Sequence, residues 1–210
     1  IGPQLRKILQ VIPLNAIMVA PLSLFPLEEY GLLGPGALAQ LIAEADILEA
    51  RSLDQGNAFT AIEVPWWWWR LMAGPVVLAA ELPASWVKGR WPGHRRLRPC
   101  YTRLPMGNTH AALILIAINK HASVRALARG KRFQNPVYLN NSEERATRTP
   151  LLSSSGGYYI HIDDIAFLAR RGEGLAAAAR QTVLQALEDV GFTAKTSDPG
   201  EGDIYIGFFY

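Results

Sequence analysis

GYYIHIDDIAFLA, residues 157–169, is the stretch on which the fold turns. Two apolar runs, GYYIHI (157–162) and IAFLA (165–169), enclose Asp163 and Asp164. β-Branched and aromatic residues suit a pleated, half-buried surface, and two such runs around a short polar break predict a tight hairpin with both acids at its tip. An Asp-Asp pair in a turn is ordinary turn chemistry. Here the flanks are apolar. Two neighbouring carboxylates at the end of buried strands repel each other and cost stability unless a cation compensates them.

Working outward, RSLD (51–54) predicts a short strand ending on Asp54, preceded by a helix over ALAQLIAEADILEA (37–50) that opens after a Gly-Pro-Gly loop. NAFTAIEVP continues into an irregular element that stops at Pro65, and KGRWPGHRRLRPCYTR (88–103) is a basic, turn-rich connection. A helix is expected over 109–130, apolar first and basic later, ending on Gly130. Residues 133–157 are polar and turn-rich and predict an inserted loop. EGLAAAARQTVLQALEDVG (173–191) predicts a helix ended by Gly191, followed by short strands in FTAK and DIYIGFFY. Helix, strand, helix, hairpin, helix, hairpin is an α+β order rather than that of a doubly wound sheet.

An acid ending one strand and an acid pair in a distant hairpin are a way to hold two divalent ions. Mg²⁺ takes oxygen ligands in near-octahedral geometry, so carboxylates on rigid strands suit it. Two such ions clamp the attacking and departing oxygens of an in-line phosphoryl displacement.

Five segments occur in an order that resembles the palm motifs of reverse transcriptases, most closely those of retroelements. They are SLDQGNAFTAIEV (52–64), RLPMGNTHAA (103–112), IHIDDIAFLA (160–169), LEDVGFTAK (187–195) and IYIGFF (204–209). The resemblance implies the palm of a right-hand polymerase, an antiparallel sheet backed by helices, with partial fingers. Residues 1–50 would be the fingers or N-terminal segment. Residues 51–210 would be the palm, with the inserted loop 133–157, ending at the primer-grip hairpin. The activity implied is that of an RNA-directed DNA polymerase, a nucleotidyltransferase that adds deoxynucleotides to a primer with two Mg²⁺ ions, or Mn²⁺ in their place. Its partners would be an RNA or DNA template-primer and dNTPs, in the cytoplasm or nucleus, within a larger retrotransposon polyprotein. The alternative is a degenerate, inactive copy of the same fold that binds nucleic acid or serves a structural role.

By this resemblance Asp54 and Asp163 are the catalytic metal ligands and Asp164 the third acid. Phe59 would lie under the sugar of the incoming nucleotide, where a ring excludes a 2′-hydroxyl. Met106 and Gly107, in LPMG, would pack near the nucleotide and template base, and Lys195 is a candidate for the lysine near the triphosphate. Tyr205 and Gly207 would belong to the primer grip. His161 stands where the family usually has Tyr, and Met106 where Gln is more frequent. The stretch between Gly107 and Asp163 is longer than usual. Near the start of the chain only Arg6 and Lys7 offer positive charge for a triphosphate. Thumb, connection and RNase H regions are not expected within these residues.

The net charge of +3 says less than its distribution. From Ile8 to Ala50 there is no Lys, Arg or His, whereas six Lys or Arg lie between Lys88 and Arg103, and five between Lys120 and Arg132, with no acid in either stretch. Arg95, Arg96, Arg98, Arg103, Lys120 and Arg125 are therefore candidate phosphate contacts, with Trp86, Trp91 and Tyr101 interleaved as stacking surfaces. A solvated loop and a solvated helix face are the plainer account of the same residues. Four consecutive tryptophans, Trp66 to Trp69, cannot all face one way in a helix or a strand. Some must meet a neighbouring element or a partner, by packing or by base stacking.

At 50% hydrophobic residues the chain can bury a substantial core, which excludes general disorder. A single cysteine, Cys100, excludes an intrachain disulfide and a cysteine-rich zinc site, and it reads as a small buried or half-buried hydrophobe. His94, His110, His121 and His161 lack metal-ligand spacing. No phosphate loop, HExxH or nucleophile elbow is present. Pro13, Pro21 and Pro26 interrupt the apolar start too often for a spanning helix, and LILIAI (113–118) is too short, so no membrane segment or signal peptide is expected.

Overall fold

A computed structural model describes Asn15 and residues 48–130, 137–138, 156–197, 204–205 and 208–209. These fall into two compact units, one of Asn15 with 59–111 and one of 48–58 with the described residues from 112 onward. The architecture is α+β. Residues 59–111 close on themselves through their own backbone pairing.

The second unit is organised around β1 (Leu48–Gly56). It shares one sheet with β4 (Val137–Tyr138), β5 (Gly157–His161), β6 (Asp164–Arg170) and β7 (Thr193–Ser197), in the order β4-β5-β6-β1-β7. The last four are antiparallel, and β4 adds a parallel edge to β5. Leu48–Ala50, expected to end a helix, instead open β1. Seven consecutive residues of β1 pair with β6, and that ladder overrides the local helical preference. The rest of the expected helix, 37–47, lies outside the described residues. So do most of the expected loop at 133–157, the side chain of Tyr205, and Gly207.

Leu53, Gln55, Tyr158, Ile160, Ile165, Phe167 and Ala169 share one face by register and are buried. On the other face Asp54 of β1 is exposed, whereas Tyr159 and Ala166 of β5 and β6 are buried. The first face packs against α5, the helix Leu175–Asp189, whose Ala176, Ala179, Val183 and Leu187 recur at helical spacing and are all buried. Fully burying a side chain such as Val183 or Leu187 contributes about 1.5–3 kcal/mol. The helix ends in a Schellman motif. Gly191, at φ 91°, donates to Glu188 O at 2.9 Å, and Phe192 donates to Leu187 O at 3.0 Å. At the start of β5, Gly156 has φ +111°, and a Cβ there would lie 2.5 Å from Leu168 O, so only glycine fits.

Helix α4 (Ala111–Arg129) carries the buried stripe Leu115, Ile116, Asn119, Ser123, Ala126 and Leu127. By length and composition alone it could cross a membrane. Its Asn119 bonds to β1, however, and Leu127 lines the same small gap as Tyr158, Phe167 and Ala176, as the core helix of a folded unit does. β8 (Ile204–Tyr205) and β9 (Phe208–Phe209) form a two-stranded hairpin within DIYIGFFY, which the local pattern reads as one strand and the resemblance as a hairpin.

The first unit is an irregular antiparallel ribbon. Ile62 and Val64 bond to Leu104 and Thr102, Met72 and Gly74 to Tyr101 and Pro99, and Ala79 and Ala80 to Arg95 and Gly93. Within it β2 (Val77–Leu78) pairs with β3 (Arg96–Leu97). From the bridge Glu63–Arg103 to the bridge Ala73–Cys100, the first strand advances ten residues and its partner three. Seven residues, 65–71, are therefore extruded from the ribbon. They include the one-turn helix α2 (Trp66–Trp69). Short helices at Ala58–Ala61 (α1) and Ala84–Val87 (α3) complete the unit. Cys100, expected to be buried or half-buried, is exposed, because its strand lies on the ribbon surface with Sγ 3.6 Å from Arg98 O.

Candidate active site

The acids are brought together by register. Asp54 on β1 lies directly opposite Asp164 on β6, and Asp164 directly opposite His161 on β5. On its other side Asp54 lies opposite Lys195 on β7. Directly opposed residues of antiparallel strands share a face, with Cβ atoms about 4.5–5.5 Å apart. His161, Asp164, Asp54 and Lys195 thus form one row across four strands, on the face away from α5. The hairpin expected at Asp163-Asp164 is shifted by one position. Its two turn residues are Ile162 and Asp163, and Asp164 already belongs to β6. Pairing with Asp54 and His161 draws Asp164 into the ladder.

Like charges directly opposite each other destabilise a sheet. Burial first, then the charges of Asp163 and Asp54, push the Asp164 carboxyl up to about 6. Burial also holds His161 below its ordinary value, against the charge of Asp163, while its Nδ1 lies 3.1 Å from the Tyr159 hydroxyl. Among the described residues no group of three His, Cys, Asp or Glu is arranged to hold a metal ion as it stands. That sits beside the influence of Asp163 and Asp54 on Asp164, because charge acts over several ångströms whereas a Mg–O bond spans about 2.0–2.1 Å. In chemistry the set fits Mg²⁺: three hard oxygen donors whose repulsion a divalent cation would relieve.

Two residues not singled out from the sequence support the row from beneath. Gln55 and Asn119 are buried at 1% and 0% exposure and exchange two amide hydrogen bonds of 3.0 and 2.8 Å. Asn119 also donates to Ile162 O at 2.9 Å, and the Gln55 N–H donates to Asp163 O at 3.1 Å. The turn that carries Asp163 is therefore tied to the strand that carries Asp54 and to α4. Ile162 has φ 60°, a conformation that costs a β-branched residue energy and persists only where its surroundings impose it. The signal available in the sequence was an Asn at position 119, on the apolar stripe of α4.

The remaining expected residues lie as follows. Lys195 is exposed in β7 and lies in register with Asp54. Lys120 places Nζ 4.8 Å from the centre of the Tyr138 ring, and Arg125 is exposed beside His121. In the first unit Phe59 is half-buried in α1, directly after the strand that bears Asp54. Met106 is exposed, and Gly107, at φ 95°, accepts a 2.9 Å bond from the Asn15 side chain, whose oxygen in turn accepts the Thr109 N–H at 3.0 Å. Asn15 thus holds the LPMG turn, a role not anticipated from the sequence. Arg95, Arg96 and Arg98 are exposed, whereas Arg103 is engaged with Glu63 at 3.8 Å and Ala61 O at 3.4 Å.

No family model and no curated protein matches this chain.

Proposed function

We propose that this chain is the palm, with adjoining fingers, of a reverse transcriptase-type polymerase that adds deoxynucleotides to a primer on an RNA or DNA template. The observation that carries the reading is the placement of Asp54 and Asp164 opposite each other on adjacent central strands, with Asp163 in the turn between β5 and β6. A structural sheet gains nothing from a carboxylate pair at that position. A site that collects divalent cations does.

Asp54, Asp163 and Asp164 would hold Mg²⁺, which when bound neutralises phosphate charge and orients the attacking and leaving oxygens. The chain's own residues supply position and field. Gln55 and Asn119 fix the acid turn, so its carboxylates need not reorganise at each turnover. Lys195, next to Asp54 in the row, supplies a cation for the triphosphate, and Phe59 a ring against the sugar. The exposed arginines of the ribbon supply phosphate contacts whose strength falls with salt.

A second reading, a degenerate polymerase fold that binds nucleic acid without catalysis, rests on His161, which lies opposite Asp164 where the resemblance expects Tyr. Mg²⁺-dependent dNTP incorporation on a primed RNA template separates the two, run with the protein and its Asp54→Asn and Asp163→Asn variants. Incorporation lost in both variants supports the polymerase. Equal incorporation by all three removes the acids from the reaction, and none by any, with template binding retained, favours the second reading.

A further inference from the structure

The extruded tryptophan helix in the first unit plays no part in the acid row, and its surface has a chemistry of its own. Trp68 is buried at 6% exposure, and Trp67 stacks on it with ring centres 5.8 Å apart and planes 15° from parallel. Trp69 is tied to Val64 O by its indole N–H at 3.0 Å. Two of the four rings are thereby anchored, and they hold the other two outward: Trp66 is 65% and Trp67 53% exposed. The Arg70 guanidinium lies 5.8 Å from the centre of the Trp66 ring. Trp86 and Trp91, further along the same ribbon, are also exposed. Large exposed aromatic rings held in place by buried ones mark an interaction surface.

Charge indicates the occupant. Between Phe59 and Ala111 there are seven Lys or Arg and two acids. Both acids are engaged, Glu63 with Arg103 and Glu81 with the Leu78 N–H at 2.7 Å. Arg70, Lys88, Arg90, Arg95, Arg96 and Arg98 are all exposed. Protein interfaces favour aromatic residues and arginine but do not require so one-sided a charge. A polyanion with flat unpaired faces does, and single-stranded nucleic acid is that polymer, because a duplex keeps its bases stacked on each other.

We infer that the extruded helix Trp66–Trp69 is a stacking platform for the bases of single-stranded nucleic acid, whose phosphates are held by the exposed arginines of the same ribbon. Trp66 and Trp67 offer their outer faces, and because Trp67 rests on buried Trp68, little freedom remains to be lost on binding. The inference refines the proposed polymerase by naming where an unpaired strand is held. It does not depend on polymerisation.

The test is fluorescence anisotropy with a labelled 20-nucleotide oligo(dT), and an unlabelled hairpin duplex as competitor, across a salt series. Trp66→Ala/Trp67→Ala is expected to weaken single-strand binding about tenfold or more per ring, with an unchanged far-UV circular dichroism spectrum. Trp66→Phe/Trp67→Phe restores most of the loss, because a smaller ring still stacks. The salt slope stays that of the wild type in both variants, and becomes shallower in Arg95→Ala/Arg96→Ala/Arg98→Ala. Unchanged affinity in the folded double alanine variant overturns the platform and leaves the rings to a protein partner. So does a loss of hairpin-duplex binding in that variant as large as its loss of single-strand binding, because a duplex offers the rings no unpaired faces. Asp54→Asn is expected to bind the single strand normally, so failure of the polymerase reading and failure of the platform give different results.

Discussion

Gln55 and Asn119 meet face to face, 64 residues apart in sequence, through paired amide hydrogen bonds beneath the strand of Asp54. Each satisfies a buried polar group of the other, and the spare donor of Asn119 reaches Ile162 O. A buried network of this kind is stabilising when complete and costly when one member is removed, because the orphaned groups have already lost water. Asn119→Ala leaves the Gln55 amide and the Ile162 carbonyl without their partner. The expected loss is about 2–4 kcal/mol, the sum of an unsatisfied amide and a small cavity. At about 2–4 °C per kcal/mol for a chain of this size, thermal unfolding should show a fall of roughly 4–16 °C. Asn119→Gln, with the same groups on a longer stem, should not restore the wild-type melting temperature. A change of less than a degree in Asn119→Ala would mean the pair is not formed.

Phe59 follows Asp54 by five residues at the start of α1, half-buried rather than sealed in the core. In the proposed polymerase its ring collides with a 2′-hydroxyl. Phe59→Val should raise incorporation of ribonucleotides relative to deoxynucleotides by at least tenfold in kcat/KM, while leaving dNTP use within a fewfold of wild type. The measurement is competitive incorporation of matched rNTP and dNTP pairs, and unchanged sugar selectivity would remove Phe59 from that role.

Much of the second unit is legible in the sequence because its signals are local. The apolar runs around Asp163-Asp164 give β5 and β6, and the alanine-rich stretch before Gly191 gives α5 to within two residues at each end. Leu48–Ala50 carry a local helical pattern, but the force that makes them strand is their pairing with Leu168–Arg170, more than a hundred residues away. The same distance hid the row. Asp54 and Asp163 are identifiable from their flanks, but the position of Lys195 opposite Asp54 depends on the register of β7, which no local pattern fixes. The pairing of Gln55 with Asn119 is hidden for a related reason: a single polar residue on an apolar stripe shows that a partner exists without saying which. In the first unit the four tryptophans were correctly read as facing different ways, but the seven-residue extrusion that separates them follows from two bridges formed at distant points.

Asp164 makes the sheet pH-sensitive in a predictable direction. Its folded carboxyl, pushed from 3.8 to about 6, binds a proton more tightly than in the unfolded chain. Its contribution to stability is therefore full below about pH 3.8 and is lost as pH rises through 6, the opposite of an ion-paired aspartate. His161 acts in the other direction: burial lowers its affinity for a proton, so its contribution is present above its ordinary 6.5 and lost as pH falls. Comparison with Asp164→Asn, which mimics the protonated acid and leaves His161 in place, separates the two. With chelator present, the melting temperature of the wild type should fall below that of Asp164→Asn as pH is raised from 4 to 7.5. The half-exposed position limits the gap to a few degrees. Mg²⁺ at pH 7.5 should then raise the wild type and leave the variant nearly unmoved, since a cation that binds only the folded chain stabilises it by mass action and the variant lacks one of its ligands. Equal pH profiles for the two proteins would mean that neither burial nor the neighbouring carboxylates raise the Asp164 carboxyl. Equal responses to Mg²⁺ would mean that the cation binds elsewhere.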